Sequence, residues 1–447
     1  MYPLCGSAVA APAVLAGPCV LKLRKRPPPG RRGPPSALER AVWGVGADDE
    51  DGRGGAREAL RRRFAEAHLG PRLGTLAAPG TPCRVAAAFA RRLLPAHLAA
   101  EDLEAADGGG EGAAADGAVR GVLQRDCSVV SAVPGLAAGR TLCLEIKPKC
   151  GFLPAPELLH GPYAVQARVS RYALHQRLKV QQGRVARPSA YCPLDLFSRD
   201  RPRVARALRA LVASPQNNLM VFADGRRALD LASGSTGAPE MAGEGEEPPV
   251  AFARLCGAFW GAGAGAADDA AAERVLDAVA TILCERSDAP GRVLDLQRLD
   301  RVGPFGAARL LWNLAGRRDE GLPADAGLRA EVTAAAGLAP AVLALDRLPR
   351  EAGLRLLREY LTAATAKDCA LMVALGLPGD AEGGPPAAVA AEPEAGAERG
   401  ALEVGGRRLL YSVALVDLDL KPLAKVHEHA ALDRRLVALH AGEATVQ

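Results

Sequence analysis

Leu144–Gly225 is the stretch on which the reading of this chain turns. It opens with Glu145-Ile-Lys-Pro-Lys-Cys-Gly-Phe152 and passes through Ser170-Arg-Tyr-Ala-Leu-His-Gln-Arg-Leu-Lys179. It then runs through Tyr191-Cys-Pro-Leu-Asp-Leu-Phe-Ser198 and closes on Pro215-Gln-Asn-Asn-Leu-Met-Val-Phe222. Composition sets it apart. Of 56 basic residues in the 447-residue chain only eight are lysine: Lys22, Lys25, Lys147, Lys149, Lys179, Lys367, Lys421 and Lys425. There are three asparagines (Asn217, Asn218, Asn313) and two isoleucines (Ile146, Ile282). Lys, Asn and Ile share A/T-rich codons, so a G/C-biased genome accounts for a background of Ala, Gly, Arg and Pro. Where a generic cation suffices the chain uses Arg. A retained Lys marks a place that needs a compact, rotatable ammonium rather than a planar fork.

Working outward, the length allows one large or two ordinary domains, and 49% of residues are apolar. A net charge of +5 is mild for such a chain and argues against a dedicated nucleic-acid binder, which would gather its cations into a stripe with interleaved aromatics. The ten cysteines are scattered without a CxxC pair, which points to reduced thiols in the cytoplasm or nucleus rather than a disulfide framework. No interior run is apolar enough for a membrane span. Met1–Leu21 is uncharged and apolar, but it lacks a basic leading region and carries Pro3, Pro12 and Pro18, which argues against a secretory signal. The Arg-rich, acid-free Leu23–Ser36 leaves an organellar transit peptide open.

Pro18–Lys25 alternates as a strand does, and Glu58–His68 and Arg84–Ala99 read as helices. Ala118–Val133 and Arg140–Lys147 read as strands, with a lobe boundary near residue 140: residues 1–140 form one lobe and 141–447 the other. Helical faces recur at Glu273–Glu285, Phe305–Leu314 and Leu354–Leu361. Asp368–Leu375 is a buried strand, and Arg408–Lys421 a strand returning after an insert. Residues 232–249 and 378–403 are low in complexity and are expected to be disordered. The fold class is therefore α+β, carrying low-complexity inserts.

The chemistry-bearing residues cluster by type. In extended backbone Glu145, Lys147 and Lys149 point one way. A solvated edge strand would look the same, and Pro148 suits one, but the scarcity of Lys favours function. Asp417, Asp419 and Lys421 repeat the device, with Leu418 and Leu420 on the other face. Paired carboxylates there suit Mg²⁺; a structural ion pair is the alternative. Asn217-Asn218 follows Pro215, a turn setting, yet its amides also suit hydroxyls, phosphates or a metal. Asp368 could cap or accept a proton from a substrate hydroxyl. His175 reads as a packed core histidine. His427 and His429 fall on what reads as an extended tail, and no His/Cys cluster has zinc spacing. Several lysines, two carboxylates and two amides drawn from distant segments are the set a phosphoryl transferase needs for a heavily anionic substrate, since catalysis there is positioning and charge neutralisation.

Six motifs occur in order: Glu-Ile-Lys-Pro-Lys-x-Gly-Phe-Leu-Pro, Arg-Tyr-x-x-His-Gln-x-Leu-Lys, Pro-Leu-Asp-Leu-Phe-Ser, Pro-Gln-Asn-Asn-Leu, Ala-Thr-Ala-Lys-Asp-Cys and Asp-Leu-Asp-Leu-Lys-Pro. Together they resemble the inositol-pentakisphosphate 2-kinase family, over residues 140–225 and 354–433 and more weakly at 18–26 and 290–311. The resemblance implies a two-lobed kinase, distantly like protein kinases and monomeric, that uses ATP and Mg²⁺ to turn inositol 1,3,4,5,6-pentakisphosphate into the hexakisphosphate (phytate). It implies that Lys22 and Glu145 meet the nucleotide, with Lys147 between the ATP phosphates and the inositide. Lys149, Lys179, Asn217, Lys421, Lys425 and His429 would hold the inositide. Asp368 would be the base, and Asp417 with Asn218 and Asp419 would lie at the metal.

Four departures accompany it, the first being that His429 stands where the family often has Tyr in the substrate-closing tail. The family's Gly-rich phosphate loop ending in Asn has no counterpart in Gly6–Leu15, which implies either a missing upstream stretch or a decayed loop. Met220 stands where a basic residue is expected, and the zinc site of plant members is absent. A catalytically impaired inositide-binding sensor or scaffold is the alternative these departures leave.

Overall fold

The computed structural model describes residues 19–23, 35–46, 55–77, 80–93, 103, 118–130, 140–229, 246–261, 267–318, 321–334, 337–378 and 397–442. Among the described residues nine strands form two antiparallel sheets. β1 (Cys19–Leu23), β2 (Thr81–Ala86) and β3 (Ala118–Arg125) make a three-stranded sheet in the order β1-β3-β2. β4 (Thr141–Ile146), β5 (Leu219–Ala223), β6 (Arg226–Leu229), β7 (Ala370–Gly376), β8 (Glu398–Val404) and β9 (Arg407–Val416) make a six-stranded sheet in the order β6-β5-β4-β7-β9-β8. Around them run α1 (Ala37–Trp43), α2 (Gly55–Phe64), α3 (Gly70–Leu73), α4 (Ala87–Leu93), α5 (Arg171–Gln181), α6 (Pro193–Leu196), α7 (Arg201–Ala213) and α8 (Pro248–Trp260). The set continues with α9 (Asp269–Thr281), α10 (Ala289–Gln297), α11 (Gly303–Leu314), α12 (Ala326–Thr333), α13 (Pro340–Ala344), α14 (Arg350–Ala366) and α15 (Ala424–His440).

The two faces of the large sheet differ, because successive side chains of a strand point to opposite sides. Leu142, Leu144 and Ile146 of β4, Leu371, Val373 and Leu375 of β7, and Leu409, Tyr411, Val413 and Leu415 of β9 face the main core. Their neighbours Cys143, Met372, Ala374 and Ala414 form a shallow cluster on the other face, packed with Cys127 and Val130. The deep face is roofed by helices whose ends the sequence marks clearly. Ser170 accepts from Ala173 N to start α5, Asp200 from Arg203 N to start α7, and Asp268 from Ala271 N to start α9. Each such cap contributes about 1 kcal/mol.

Several expectations are corrected. Thr81–Ala86 is a strand, not the start of a helix, because Cys83 and Val85 pair with Gly121 and Val119 across β3. Tertiary pairing overrides the helical preference of Ala and Arg there, and the helix begins only at Ala87. Ala118–Val133 is strand only as far as Arg125. Glu398–Val404, placed by composition in a disordered insert, is edge strand β8, with Leu402 and Val404 packed on the core. Pro248 and Pro249, placed in the other insert, open α8. Residues 1–18, 24–34, 94–99, 230–245 and 379–396 lie outside the described residues, and with them the phosphate-loop reading, nearly all of the signal and transit readings and most of both inserts.

Packing among the described residues runs across residue 140. Val42, Trp43, Leu60, Phe64, Leu73 and Leu76 belong to the same core as the large sheet, whereas Val85, Ala90 and Val119 form a small separate one. Ala77 even makes a bridge to Leu415 of β9. Among the described residues no helix is long and apolar enough to cross a membrane.

Candidate functional site

Four adjacent strands meet one edge of the large sheet. β4 and β9 leave there, after Ile146 and Val416, and β5 and β7 enter there, at Leu219 and Ala370. The register pairs Ile146 with both Leu219 and Leu371, and Ala370 with Val416. The residues just beyond that edge are Lys147–Lys149, Asn217–Asn218, Lys367–Asp368 and Asp417–Lys421. Sheet topology thus gathers segments up to about 270 residues apart in sequence.

Two aspartates each sit between two lysines. Asp368 Oδ2 accepts from Lys421 Nζ at 2.7 Å, and its Oδ1 lies 3.7 Å from Lys149 Nζ. Asp417 Oδ1 accepts from Lys22 Nζ at 2.9 Å, and its Oδ2 lies 3.6 Å from Lys147 Nζ. Lys22 comes from β1, so this second group bridges the two sheets. Burial works to raise both carboxyls, but the lysine contacts outweigh it and hold both below the usual carboxylate range. Glu145 lies one residue before the end of β4, on the shallow face, flanked in register by Met220 and Met372. Burial first, and the Asp417 charge second, push its carboxyl up.

A cavity of about 340 Å³ opens beside Asp368. Six cationic side chains line it (Lys149, Arg171, Lys179, Lys367, Lys421 and Lys425) against three carboxylates (Asp300, Asp368 and Asp433), so its wall favours an anion. Helix α5 supplies Arg171, His175 and Lys179 at i, i+4 and i+8, one stripe of a helix; α15 supplies Lys425, His429 and Asp433 in the same way. Not all of the positive charge is free. Lys367 donates to Asp300 at 2.6 Å, and Arg171 Nε to Asp433 at 2.5 Å. Lys425 pairs with Glu428. Lys179 is held differently: its ammonium donates at 2.8 Å to Gln216 Oε1, and Gln216 exchanges amide hydrogen bonds with Gln176. Neutral partners orient Lys179 without neutralising it. Burial, with Lys149 and Arg184 nearby, holds its pKa down.

Asn218 is fully buried; its Nδ2 donates to the Tyr172 hydroxyl at 2.9 Å and its Oδ1 has no partner. Asn217 is exposed at the cavity rim. The Tyr360 hydroxyl and His429 Nδ1 share a hydrogen bond of 3.0 Å. Burial, then Arg171 and Lys367, lowers the His429 pKa to about 3, so the ring is neutral.

Three sequence readings change here. His175 is not a packed core residue: it is half-buried and lines the cavity, its pKa lowered to about 4 by burial and then by Arg171 and Lys179. His427 and His429 stand on helix α15 rather than an extended tail. Asp417, Asp419 and Lys421 do not share a strand face, because β9 ends at Val416 and Asp417 turns into the left-handed region at φ 59°. Asp419 is exposed and apart from the cavity wall; only its carbonyl is engaged, accepting from Thr365 Oγ1 at 2.9 Å. Reading from sequence passed over Arg171, Gln176, Gln216 and Gln297, and marked Lys367 only by the scarcity of lysine. The helical spacing within the second motif was the available signal for Arg171 and His175.

Among the described residues no three His, Cys, Asp or Glu side chains gather into a self-sufficient metal site. Mg²⁺ does not require one, since it takes one or two carboxylates and completes its shell with phosphates and water. The ionised Asp417 and the orphaned Asn218 oxygen are hard oxygen donors of the kind such a shell takes.

The large-sheet edge thus carries one lysine-bracketed aspartate, Asp368, on the wall of a cation-rich cavity, and a second, Asp417, where the two sheets meet. The sequence profile of inositol-pentakisphosphate 2-kinases matches residues 6–435. The chain belongs to that family. An Arabidopsis thaliana protein named inositol-pentakisphosphate 2-kinase is 30% identical over 310 residues, 68% of this chain and 60% of that protein. One from Oryza sativa subsp. indica is 28% identical over 299 residues (66% and 59%), and one from Danio rerio 40% identical over 100 residues (22% and 20%). The chain thus spans about 60% of the length of the plant relatives it matches.

Proposed function

We propose that this chain transfers a phosphoryl group from ATP to the 2-hydroxyl of inositol 1,3,4,5,6-pentakisphosphate, giving the hexakisphosphate. Family membership supports the reaction class. The single structural observation that carries it is Asp368, held between Lys149 and Lys421 on the wall of a cation-lined cavity. In this reading the two sheets belong to two kinase-like lobes, with the nucleotide between them and the 37–77 helices joined to the larger lobe. The protein works as a monomer in the cytoplasm or nucleus.

Each residue then has a physical task. Lys149, Lys179, Lys421 and Lys425, with Arg171, His175, Asn217 and His429, receive the phosphates of the inositide. Lys22 and Lys147 face those of ATP, and the methionines beside Glu145 offer an apolar seat for its base. Asp417 and Asn218 would hold Mg²⁺, which when bound supplies charge neutralisation for the transferring phosphoryl group. Asp368 is ionised at neutral pH. Incoming phosphates compete for Lys149 and Lys421, and as these cations turn toward substrate, the contacts that hold Asp368 acidic weaken. Its basicity rises where a hydroxyl proton must be taken, a contribution of about 10²–10⁴ in rate.

The test is product formation. Incubated with Mg²⁺-ATP and the pentakisphosphate, the purified chain should yield hexakisphosphate, resolved by anion exchange. Inositide binding without turnover would point to an impaired nucleotide side. Absence of binding would sink the proposal.

A further inference from the structure

Gln297, the last residue of α10, is fully buried and outside the cavity wall, yet its amide touches both segments that carry the proposed chemistry. Its Oε1 accepts from Gly151 N at 2.8 Å, and its Nε2 donates to Lys149 O at 2.7 Å and to Ala366 O at 3.1 Å. The orientation is fixed by the partners: turning the amide over would set its NH₂ against an N–H and its oxygen against two carbonyls. One acceptor and two donors on a single side chain is a combination that only an amide supplies without charge.

The two segments it ties are unlike. Lys149 sits in the left-handed region at φ 62°, where a side chain crowds its own backbone. The Gln297 amide brackets that residue, taking its carbonyl and the N–H two residues on. Tyr191 completes the clamp, its hydroxyl donating to Pro148 O at 2.8 Å. Ala366 ends α14, two residues before Asp368, whose N–H donates to Thr365 O at 3.0 Å. The amide therefore fixes the turn that aims Lys149 and the helix end that carries Asp368 against one another, at the 3.7 Å separation of their charged atoms.

We infer that Gln297 is a positioning residue for phosphoryl transfer, holding the Lys149 turn in register with Asp368. This rests on the functional reading above. It predicts coupling, which a merely structural role would not give. In the full chain, Lys149→Ala should weaken inositide binding about tenfold or more, as loss of a charge-assisted contact does. Gln297→Met should weaken it about tenfold in the parent, but less than about twofold when Lys149 is already alanine, because residues acting through one another are non-additive. The kcat of Gln297→Met should fall as well, with the KM for ATP unchanged. Gln297→Glu, which keeps the acceptor for Gly151 and loses both donors, provides a second reading if the methionine variant does not fold.

Calorimetric Kd values and initial rates on the four proteins of the cycle decide the matter. Additive losses would overturn the assignment. So would wild-type KM and kcat in a Gln297→Met chain whose only change is a lower Tm, while Lys149→Ala remains weakened. A parent chain that neither binds nor phosphorylates the inositide would instead overturn the functional reading on which the assignment depends.

Discussion

Replacing Asp368 with asparagine should do two opposite things. It removes the proposed base, so turnover should fall about 10²–10⁴-fold. It also releases Lys149 and Lys421 from the carboxylate they bracket at 3.7 and 2.7 Å. The Asp368 side chain is 55% exposed, so these pairs are screened, and about 0.2–1 kcal/mol apiece is the appropriate scale. In the proposed reading, substrate phosphates break both pairs. Asp368→Asn should therefore tighten inositide binding by roughly 0.4–2 kcal/mol, about two- to thirtyfold. Isothermal titration with the pentakisphosphate at fixed ionic strength reads the binding, and quenched-flow product analysis reads the rate. Weaker binding in the variant would refute the competition between substrate and carboxylate for the two lysines. Turnover near wild type would refute the base.

Three more outcomes follow from the geometry. Lys22→Ala, which removes the 2.9 Å contact to Asp417 between the sheets, should raise the KM for ATP about tenfold and leave inositide Kd within about twofold; an inositide effect of equal size would place Lys22 in the other subsite. His175 and His429 have pKa values near 4 and 3 without ligand, and phosphates brought beside them should raise both. Proton uptake on binding at pH 5.5 should then appear as a buffer-dependent calorimetric enthalpy that shrinks in His175→Asn. Without ligand the sign is the reverse. Between about pH 6.5 and 4 the unfolded chain binds more protons at His175, so stability falls as pH falls through that window. In Gly151→Ala the new Cβ would lie 2.1 Å from the Phe197 ring, so overpacking should destabilise the chain by about 1–3 kcal/mol in denaturant melts and raise the inositide KM.

The retained lysines proved the most legible feature of the sequence. Lys147, Lys149, Lys179, Lys367, Lys421 and Lys425 all stand at the strand-edge site or its cavity, and Lys22 reaches it from the other sheet. Buried strands β4, β7 and β9 were legible as apolar runs, and α9, α11 and α14 by their apolar helical faces. Strand β8 was hidden because an edge strand needs only Leu402 and Val404 to be apolar. Arg171 was hidden because arginine is the background cation of this chain, and His175 because a helix face alone does not say whether it looks toward a core or a cavity. The amides of Gln176, Gln216 and Gln297 left no trace at all, since their partners lie 13 to 148 residues away in sequence. Where β9 stops was equally unreadable, as it depends on one backbone angle at Asp417.

That angle has company. Of the six described non-glycine residues with positive φ, Lys149, Gln216 and Asp417 all belong to the site. An L-residue in that conformation gives up about 1–2 kcal/mol relative to glycine. Glycine is also what a G/C-rich genome supplies most freely. Mutational drift and folding energy therefore push the same way at Lys149 and Asp417, toward a sturdier chain with no charge there. A laboratory selection for heat resistance alone would tend to erode these positions first. Their survival in a sequence with so few lysines is itself a record of what the protein has been kept for.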